Sequence, residues 1–425
     1  MVAMTRAALL SIGDELLLGE IVDTNQPHIA QRLLTLGISV AGAETVGDEV
    51  GDIVQAFQRA LARAPLVIAT GGLGPTADDL TLEALAKVLD VELDFYPEVM
   101  EQMAARFINR PASEIPAGNR KQAFLPRGTK VLRNDWGTAP GVHCVTPQGQ
   151  HIFLLPGVPR EMKNLLDERV FPLLQKLFKS EEALLIRYLH SFGIGESVLG
   201  DRIKALMQQG CNPDVGTRVK AGVVTVRITA RGKTEAKAGK LLEPVREEVL
   251  RAMGDSFFGE DSETLPGAAL RALLEAKKTV AIAESCTAGL IAALFTETPG
   301  SSAALLEGAV VYSNEAKVRA CNVRPETLQA HGAVSAQVAA ELAAGIRARS
   351  GADIGLAVTG IAGPDGGTPT KPVGLVLIGV ATVKGVQTFE RKFINRERAV
   401  VREWAAMHAL DLLRRAAMAD NLNPH

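Results

Sequence analysis

Residues 66–81 read LVIATGGLGPTADDLT, and this stretch decides the fold. The five residues 66–70, flanked by Pro65 and by Gly71-Gly72, have the length and apolar content of a buried strand. Glycines, two aspartates and a helical run from Leu80 follow, which is how a chain leaves a parallel strand and enters a helix. The alternation repeats outward on both sides. Residues 7–11 read as a strand, and Asn25 opens a helical pattern that stops at Gly37. A second strand is expected at 39–46, a helix at 52–62, a further strand at 151–155 and a helix at 161–166. Strands alternating with helices predict a parallel α/β sheet.

Further along, 185–192 and 223–230 alternate like half-exposed strands, with helical patterns at 197–208 and 233–253. Two strands and two helices predict a small α+β module with no catalytic cluster, suited to a spacer or dimerisation role. A Gly/Asp/Ser seam at 254–266 then reads as a domain boundary. The α/β alternation returns beyond it, with strands expected at 279–283, 309–312, 354–359 and 374–382. The expected domains are 1–172, 173–258 and 259–425, and a fragment starting near Ser262 is expected to fold alone.

Composition sets limits on function. A hydrophobic share of 47% with 22% charged residues describes a globular chain with a core. No apolar run reaches the roughly 18 residues of a membrane span, and Asp14-Glu15 interrupts the apolar start before a signal peptide could form. A cytoplasmic protein with no membrane partner is expected. Lys plus Arg total 46 against 48 for Asp plus Glu, a net charge of −2, and aromatics make up 4%. Nucleic acid is therefore a disfavoured partner. The cysteines at 144, 211, 286 and 321 show no CxxC spacing, which argues against a zinc cage or disulfide framework.

Two Gly/Asp loops follow strands in the first domain: GDELLLGEIVDTN (13–25) and TGGLGPTADDLT (70–81). Ligands of open α/β sheets sit beyond the carboxyl ends of the strands. Glycine there lets backbone N–H groups approach a phosphate, and adjacent carboxylates can hold a hard cation against it. A single such loop is more often only a turn, and Asp78 or Asp79 could merely cap the helix from Leu80. The pair of loops favours a phosphate-ligand site.

In the last domain, 279–283 runs into ESCTAG (284–289), which places Ser285 at a strand-to-helix turn. Helix N–H groups there could stabilise an oxyanion, although Ser285 or Thr287 could simply be an N-cap. A second strand leads into YSNEAK (312–317), with Lys317 in or near the first helical turn. Burial and the positive helix end would lower its proton affinity toward that of a general base, whereas a solvated lysine is the bland alternative. No histidine triad is evident. The loop TGIAGPDGG (359–367) could wrap a phosphate or sugar, and Arg396 could pair with a phosphate.

These motifs, with AGNRKQA (117–123) and LPGVPREM (155–162), resemble the competence/damage-inducible CinA family over nearly the whole chain. The resemblance implies a molybdopterin-binding-like amino-terminal domain hydrolysing ADP-ribose to AMP and ribose 5-phosphate. It also implies a carboxy-terminal nicotinamide mononucleotide amidohydrolase (PncC) domain releasing ammonia and nicotinate mononucleotide. Ser285 would be the nucleophile, Lys317 the base, and Tyr312 would orient or relay protons. Implied substrate-binding residues are Glu284, Thr287, Gly289, Thr359, Gly360, Gly363, Gly366 and Arg396 in the last domain. In the first they are Thr70, Gly71, Gly72, Asn25 and Asn119. A divalent cation of the magnesium, manganese or cobalt class would be held by Asp14, Asp78 and Asp79, with no cofactor in the carboxy-terminal domain. Pyridine nucleotides and ADP-ribose are the expected partners, and a homodimer is expected. Two departures from the family pattern matter. Leu73 replaces the threonine usual in the molybdopterin branch, which argues against a molybdenum-cofactor role. Ile394-Asn395 precede Arg396 where Gly-Asp-Arg is usual. The competing reading is a molybdopterin-binding or competence-related interaction protein with degenerate sites.

Overall fold

The computed structural model describes residues 5–104, 117–178, 182–208 and 210–418. They divide into two compact units: residues up to 185 with 231–239, and 186–230 with 240 onward. Among the described residues no helix is long and apolar enough to cross a membrane.

The first unit is built on a six-stranded sheet. Its strands are β1 (Arg6–Ile12), β2 (Ser39–Val46), β3 (Leu66–Thr70), β6 (Lys130–Leu132), β7 (Gly141–Val145) and β8 (His151–Leu155), while β4 (Leu93–Phe95) and β5 (Phe124–Pro126) pair separately. The order is β2-β1-β3-β8-β7-β6; the first four strands are parallel and the last two antiparallel. Strand β3 is buried at every position, as its unbroken apolar run predicts for a strand covered on both faces. Helices Val50–Arg63 and Thr81–Leu89 cover one face. Helices Asn25–Thr35 and Pro159–Leu165 cover the other. The parallel-sheet expectation holds for the core; the short β6 and the antiparallel return of β7 carried too little periodicity to be read.

The second unit begins with the middle module, which has four strands and not two: β9 (Ala183–Phe192), β10 (Asp214–Lys220), β11 (Val223–Gly232) and β12 (Phe257–Glu260), in the order β10-β11-β9-β12. β10 escaped notice because it pairs only on one side and leaves Arg218, Val219 and Lys220 exposed. β12 lies inside the stretch read as a seam and runs across 258/259.

The last domain carries a second mixed sheet of β13 (Val280–Glu284), β14 (Leu305–Val310), β15 (Ile354–Gly360), β16 (Leu375–Thr382) and β17 (Gly385–Lys392), in the order β14-β13-β15-β16-β17. β13 is parallel to both of its neighbours. Helices Leu265–Glu275 and Arg398–Met418 cover one face and Ala336–Ser350 the other. The first of these cores also contains Phe192 and Phe258 of the middle module. β14 ends at Val310, so Tyr312 lies beyond the strand in which it was expected.

Candidate functional site

In the first unit the carboxyl ends of β1, β2, β3 and β8 open onto one cleft of about 500 Å³, lined by residues that include Gly13, Asp48, Gly71, Gly72 and Gly157. Two glycines make this corner. Gly71 has φ +100°, and a Cβ there would lie 2.0 Å from the Ile12 carbonyl oxygen. Gly72 has φ +63° and would meet Thr81 Oγ1 at 2.1 Å. The Thr81 hydroxyl donates to the Gly71 carbonyl at 2.9 Å, tying the loop to the helix that follows. Both glycines line the cleft; Thr70, at the buried end of β3, does not.

The asparagines act one step back. Asn25 Nδ2 donates to the Gly157 carbonyl at 2.7 Å and supports the cleft edge. Asn119 Nδ2 donates to Gln122 Oε1 at 3.0 Å, and Gln122 lines the cleft while donating to the Leu73 carbonyl.

The carboxylates differ from expectation. Asp14 does not line the cleft; its Oδ1 accepts from the Asp48 backbone N–H at 3.2 Å, and Asp48 Oδ2 accepts in return from the Asp14 N–H at 3.0 Å. Asp79 lines it, but Oδ2 is engaged by the Thr76 N–H and hydroxyl. The helix from Thr81 has no side-chain cap. Asp78 also lines the cleft, as do Glu15, Asp48 and Glu161, which sequence reading passed over. Burial, together with the charges of Asp14, Glu15 and Asp78, raises the proton affinity of Asp48 from its ordinary value, against the hydrogen bond from the Asp14 N–H. Among the described residues no three metal-binding groups converge, so Asp14, Asp78 and Asp79 do not form a ready-made cage. Magnesium-type cations take one or two carboxylates and complete their shell with substrate oxygens and water. The cleft fits that mode. Among the described residues no lysine or arginine lines it, and a cation would offset the charge of the surrounding carboxylates.

The segment 134–141 (NDWGTAPG) was also missed. Asn134, fully buried, donates to Glu161 Oε2 at 2.8 Å and accepts from the N–H groups of Trp136 and Gly137. This network presents Thr138 and Ala139 to the cleft.

In the second unit β13 delivers Ser285, 8% exposed, whose N–H donates to the Val358 carbonyl. The next helix, Leu290–Thr296, starts from Gly289 at φ +91°. Its amino end is not open to a ligand. The Glu284 carboxylate, buried beneath, accepts from the N–H groups of Gly289, Ile291 and Ala292 at 2.9–3.0 Å. Glu284 is thus a helix cap, and neither Ser285 nor Thr287 is one. The helix N–H groups expected to serve an oxyanion are occupied. Within the turn, Ala288 and Leu290 donate to the carbonyls of Ser285 and Thr287, whereas among the described residues the amides of Cys286 and Thr287 have no backbone acceptor.

The Val311 N–H donates to the Glu284 carbonyl at 2.8 Å, stitching the lysine-bearing segment to the serine turn. Ser313 caps the helix Asn314–Cys321, and Lys317 is 1% exposed. Its Nζ donates to the carbonyls of Val311 and Tyr312 at 2.9 Å and of Ser313 at 3.5 Å; Ser285 Oγ is not among its partners. The solvated-lysine alternative falls. Burial lowers the proton affinity of Lys317, with Cys286, Cys321 and Glu315 pulling the other way. Cys286 is itself buried, its thiol pushed up to about 12, as befits a packing residue.

Tyr312 is exposed and its hydroxyl accepts from Arg398 Nη2 at 3.1 Å, while Arg398 Nη1 donates to the Gly363 carbonyl at 2.7 Å. Arg396 is not in this arrangement; it is exposed, with its guanidinium 5.1 Å from the centre of the Trp404 ring. The arginines that reach the site are Arg398 and Arg402, one turn apart on the helix Arg398–Met418. Arg402 Nη2 donates to the Thr287 carbonyl at 2.9 Å, and its Nε and the Thr287 hydroxyl are buried without partners. Their i,i+4 spacing was the signal that reading for a single phosphate arginine overlooked. The Thr359 hydroxyl donates to the Ala333 carbonyl. Gly360 is fixed by space, since a Cβ would meet the Leu375 carbonyl at 2.8 Å. Gly363 and Gly366 take φ +86° and +89° in the loop that Arg398 holds.

Comparison with known proteins matches three consecutive segments of the chain. A probable molybdopterin binding domain matches residues 8–176, a damage-inducible protein CinA KH domain residues 186–259, and a CinA C-terminal domain residues 262–417. A CinA-like protein of Kosmotoga olearia is 40% identical over 413 residues, 97% of this chain and 99% of that one. A CinA-like protein of Dictyoglomus turgidum is 39% identical over 413 residues, with the same coverage of each. The solved competence/damage inducible protein CihA of Agrobacterium tumefaciens is 40% identical, covers 36% of this chain and 94% of its own, and has a TM-score of 0.36.

Proposed function

Since the chain belongs to the CinA family, we propose that its carboxy-terminal domain is a serine amidohydrolase deamidating nicotinamide mononucleotide. The observation that carries this reading is Lys317: a buried lysine of lowered proton affinity, on a segment hydrogen-bonded to the end of the strand that leads into Ser285. A serine hydroxyl needs a neighbouring base, and no histidine lies in these motifs. Ser285 Oγ attacks the carboxamide carbon as Lys317, in its neutral form, takes the proton. The Cys286 and Thr287 amides, which face the Cys286 thiol, are the turn's donors to the oxyanion. Lys317 then passes the proton to the departing nitrogen as the tetrahedral adduct collapses to an acyl-enzyme, and water releases nicotinate mononucleotide. Arg398 and Arg402 bind the substrate phosphate. Ammonia release from nicotinamide mononucleotide by the intact chain tests the proposal, and absence of release refutes it. A guanidinium has five donors, so Arg398 can hold Tyr312, Gly363 and a phosphate together. Arg398→Ala should raise KM about tenfold to a hundredfold, the size of one charge-assisted hydrogen bond. Arg396→Ala should leave KM unchanged; steady-state kinetics on the pair decides between them.

For the amino-terminal domain the acidic, glycine-cornered cleft favours hydrolysis of ADP-ribose to AMP and ribose 5-phosphate. Carboxylates such as Asp48 and Asp78 would hold a divalent cation there, which would supply charge neutralisation. The Gly71 N–H already donates to the Leu155 carbonyl at 3.1 Å, so the Gly72 N–H orients the diphosphate, and Asp48, with its raised proton affinity, is placed to accept a proton from water. EDTA should abolish AMP formation and leave ammonia release intact, because clustered carboxylates line the first cleft. Loss of both activities would overturn this division.

A further inference from the structure

Two features of the serine turn are left over from the mechanism above. Arg402 Nη2 donates to the Thr287 carbonyl at 2.9 Å, so a guanidinium assigned to the substrate phosphate also grips the backbone beside the nucleophile. Among the described residues, Arg402 Nε and the hydroxyl of the fully buried Thr287 are buried with no hydrogen-bond partner. An unpaired buried polar atom costs free energy that a better-satisfied arrangement recovers. The rest of the turn is tied down on both sides. Upstream, the Ser285 N–H donates to the Val358 carbonyl; downstream, the Glu284 carboxylate accepts from Gly289, Ile291 and Ala292. Between them the Thr287 carbonyl accepts from the Leu290 N–H and from Arg402. Arg402 is therefore a link from the arginine-bearing helix to the stretch of backbone that carries the Cys286 and Thr287 amides.

We propose that Arg402 is a positioning residue: it transmits binding of the substrate phosphate to the serine turn, so that the phosphate speeds the chemical step and does not only tighten binding. The proposal rests on the amidohydrolase reading. A guanidinium has five N–H donors in one plane, so Nη2 can keep the Thr287 carbonyl while other N–H groups meet a phosphate. A phosphate oxygen is an acceptor of the kind that the unpaired Nε lacks. A phosphate held on that fork fixes the plane of the guanidinium, and the plane fixes the Thr287 carbonyl. Binding energy from a part of the substrate remote from the amide is then used to orient the oxyanion donors, and it appears in kcat.

The experiment measures ammonia release by the full chain from nicotinamide mononucleotide and from nicotinamide riboside, the same amide without its phosphate. Inorganic phosphate is then added to the riboside. The riboside should show a kcat at least about tenfold below that of the nucleotide, and saturating phosphate should raise it about tenfold, within the usual range of coupling between two ligands. Phosphate should also raise the KM for the nucleotide, which shows that the arginines are occupied. Arg402→Lys keeps the charge, but an ammonium cannot hold a phosphate and a carbonyl in one fixed plane. Its kcat for the nucleotide should fall about tenfold to a hundredfold, the size of one charge-assisted hydrogen bond, with KM changed less than about threefold. Phosphate should no longer accelerate the riboside in that variant. The acceleration is a ratio within one protein sample, so a partly unfolded variant still gives a readable result. A riboside turned over as fast as the nucleotide overturns the proposal. So does phosphate that competes without accelerating, or fails to compete, and so does an Arg402→Lys chain that keeps the acceleration. In each of those cases the amidohydrolase reading stands if the nucleotide is deamidated; a chain that releases no ammonia from the nucleotide removes both.

Discussion

Lys317→Met is expected to reduce ammonia release from nicotinamide mononucleotide by about 10²–10⁴-fold, the contribution of a positioned general base. Methionine matches the buried stem of the lysine and has no proton to exchange. Arginine would be a poorer choice, since a side chain 1% exposed leaves no room for a longer one. The substitution deprives the Val311, Tyr312 and Ser313 carbonyls of their donor, so stability should fall by about 1–3 kcal/mol; a thermal melt separates that loss from the catalytic one. Ser285→Ala should be comparably inactive and the double variant no worse, because the pair acts as one unit. Near wild-type turnover by Lys317→Met would exclude the Ser–Lys mechanism.

The pH dependence has a definite sign. The three carbonyls favour the ammonium and burial disfavours it; the net direction is downward from the ordinary value near 10.5. The active form is the neutral amine, so kcat should rise with pH through the lowered Lys317 value and level off above it. The folded chain holds this proton less tightly than the unfolded chain. Stability at this group therefore increases as pH climbs from the folded value toward 10.5, and is lost as pH falls through the folded value. In Lys317→Met the rising limb of any residual activity should disappear.

What could be read in the sequence follows from the range of the interactions involved. β3 and β8 are unbroken apolar runs between turn residues, and the structure bounds them at 66–70 and 151–155 as expected. The glycines at 71 and 72 were legible because their constraint is local backbone geometry. The role of Glu284 was not. It sits in ESCTAG beside Ser285 and looks like a site residue, yet its carboxylate caps the next helix, which depends on how the turn closes. Arg396 and Arg398 differ only in where the last helix begins. A short sequence window does not fix that start, and the structure puts Arg398 at the first helical position. Asp48 and Glu161 escaped because the cleft gathers them from separate segments, beside β2 and β8.

The second large effect concerns where the chain can be cut. A fragment beginning at Ser262 would be expected to fold alone if 254–266 were a bare linker. It is not, because β12 occupies 257–260 and pairs with β9, and the core of the last domain reaches into the middle module. Phe192 and Phe258 are buried with it, and Phe192 meets the His408 ring edge-on at 4.8 Å. Arg414, 5% exposed, pairs with buried Asp411 and also donates to the Asp255 and Phe257 carbonyls. Arg271 donates to the Phe258 carbonyl. Removing residues before 262 uncovers the surface under two phenylalanines, at about 1.5–3 kcal/mol each, and strips Arg414 of two acceptors. Against a domain stability of about 5–15 kcal/mol, that is a large fraction. The fragment 262–425 should melt at least about 10 °C below the fragment 186–425, with loss of ammonia release at temperatures where the longer fragment retains it. Phe192→Ala in the full chain should reproduce part of the deficit without any truncation. Equal melting of the two fragments would show that the middle module only rests against the last domain. A deficit shared with Phe192→Ala would locate the missing stability in that buried contact and not in the length of chain removed.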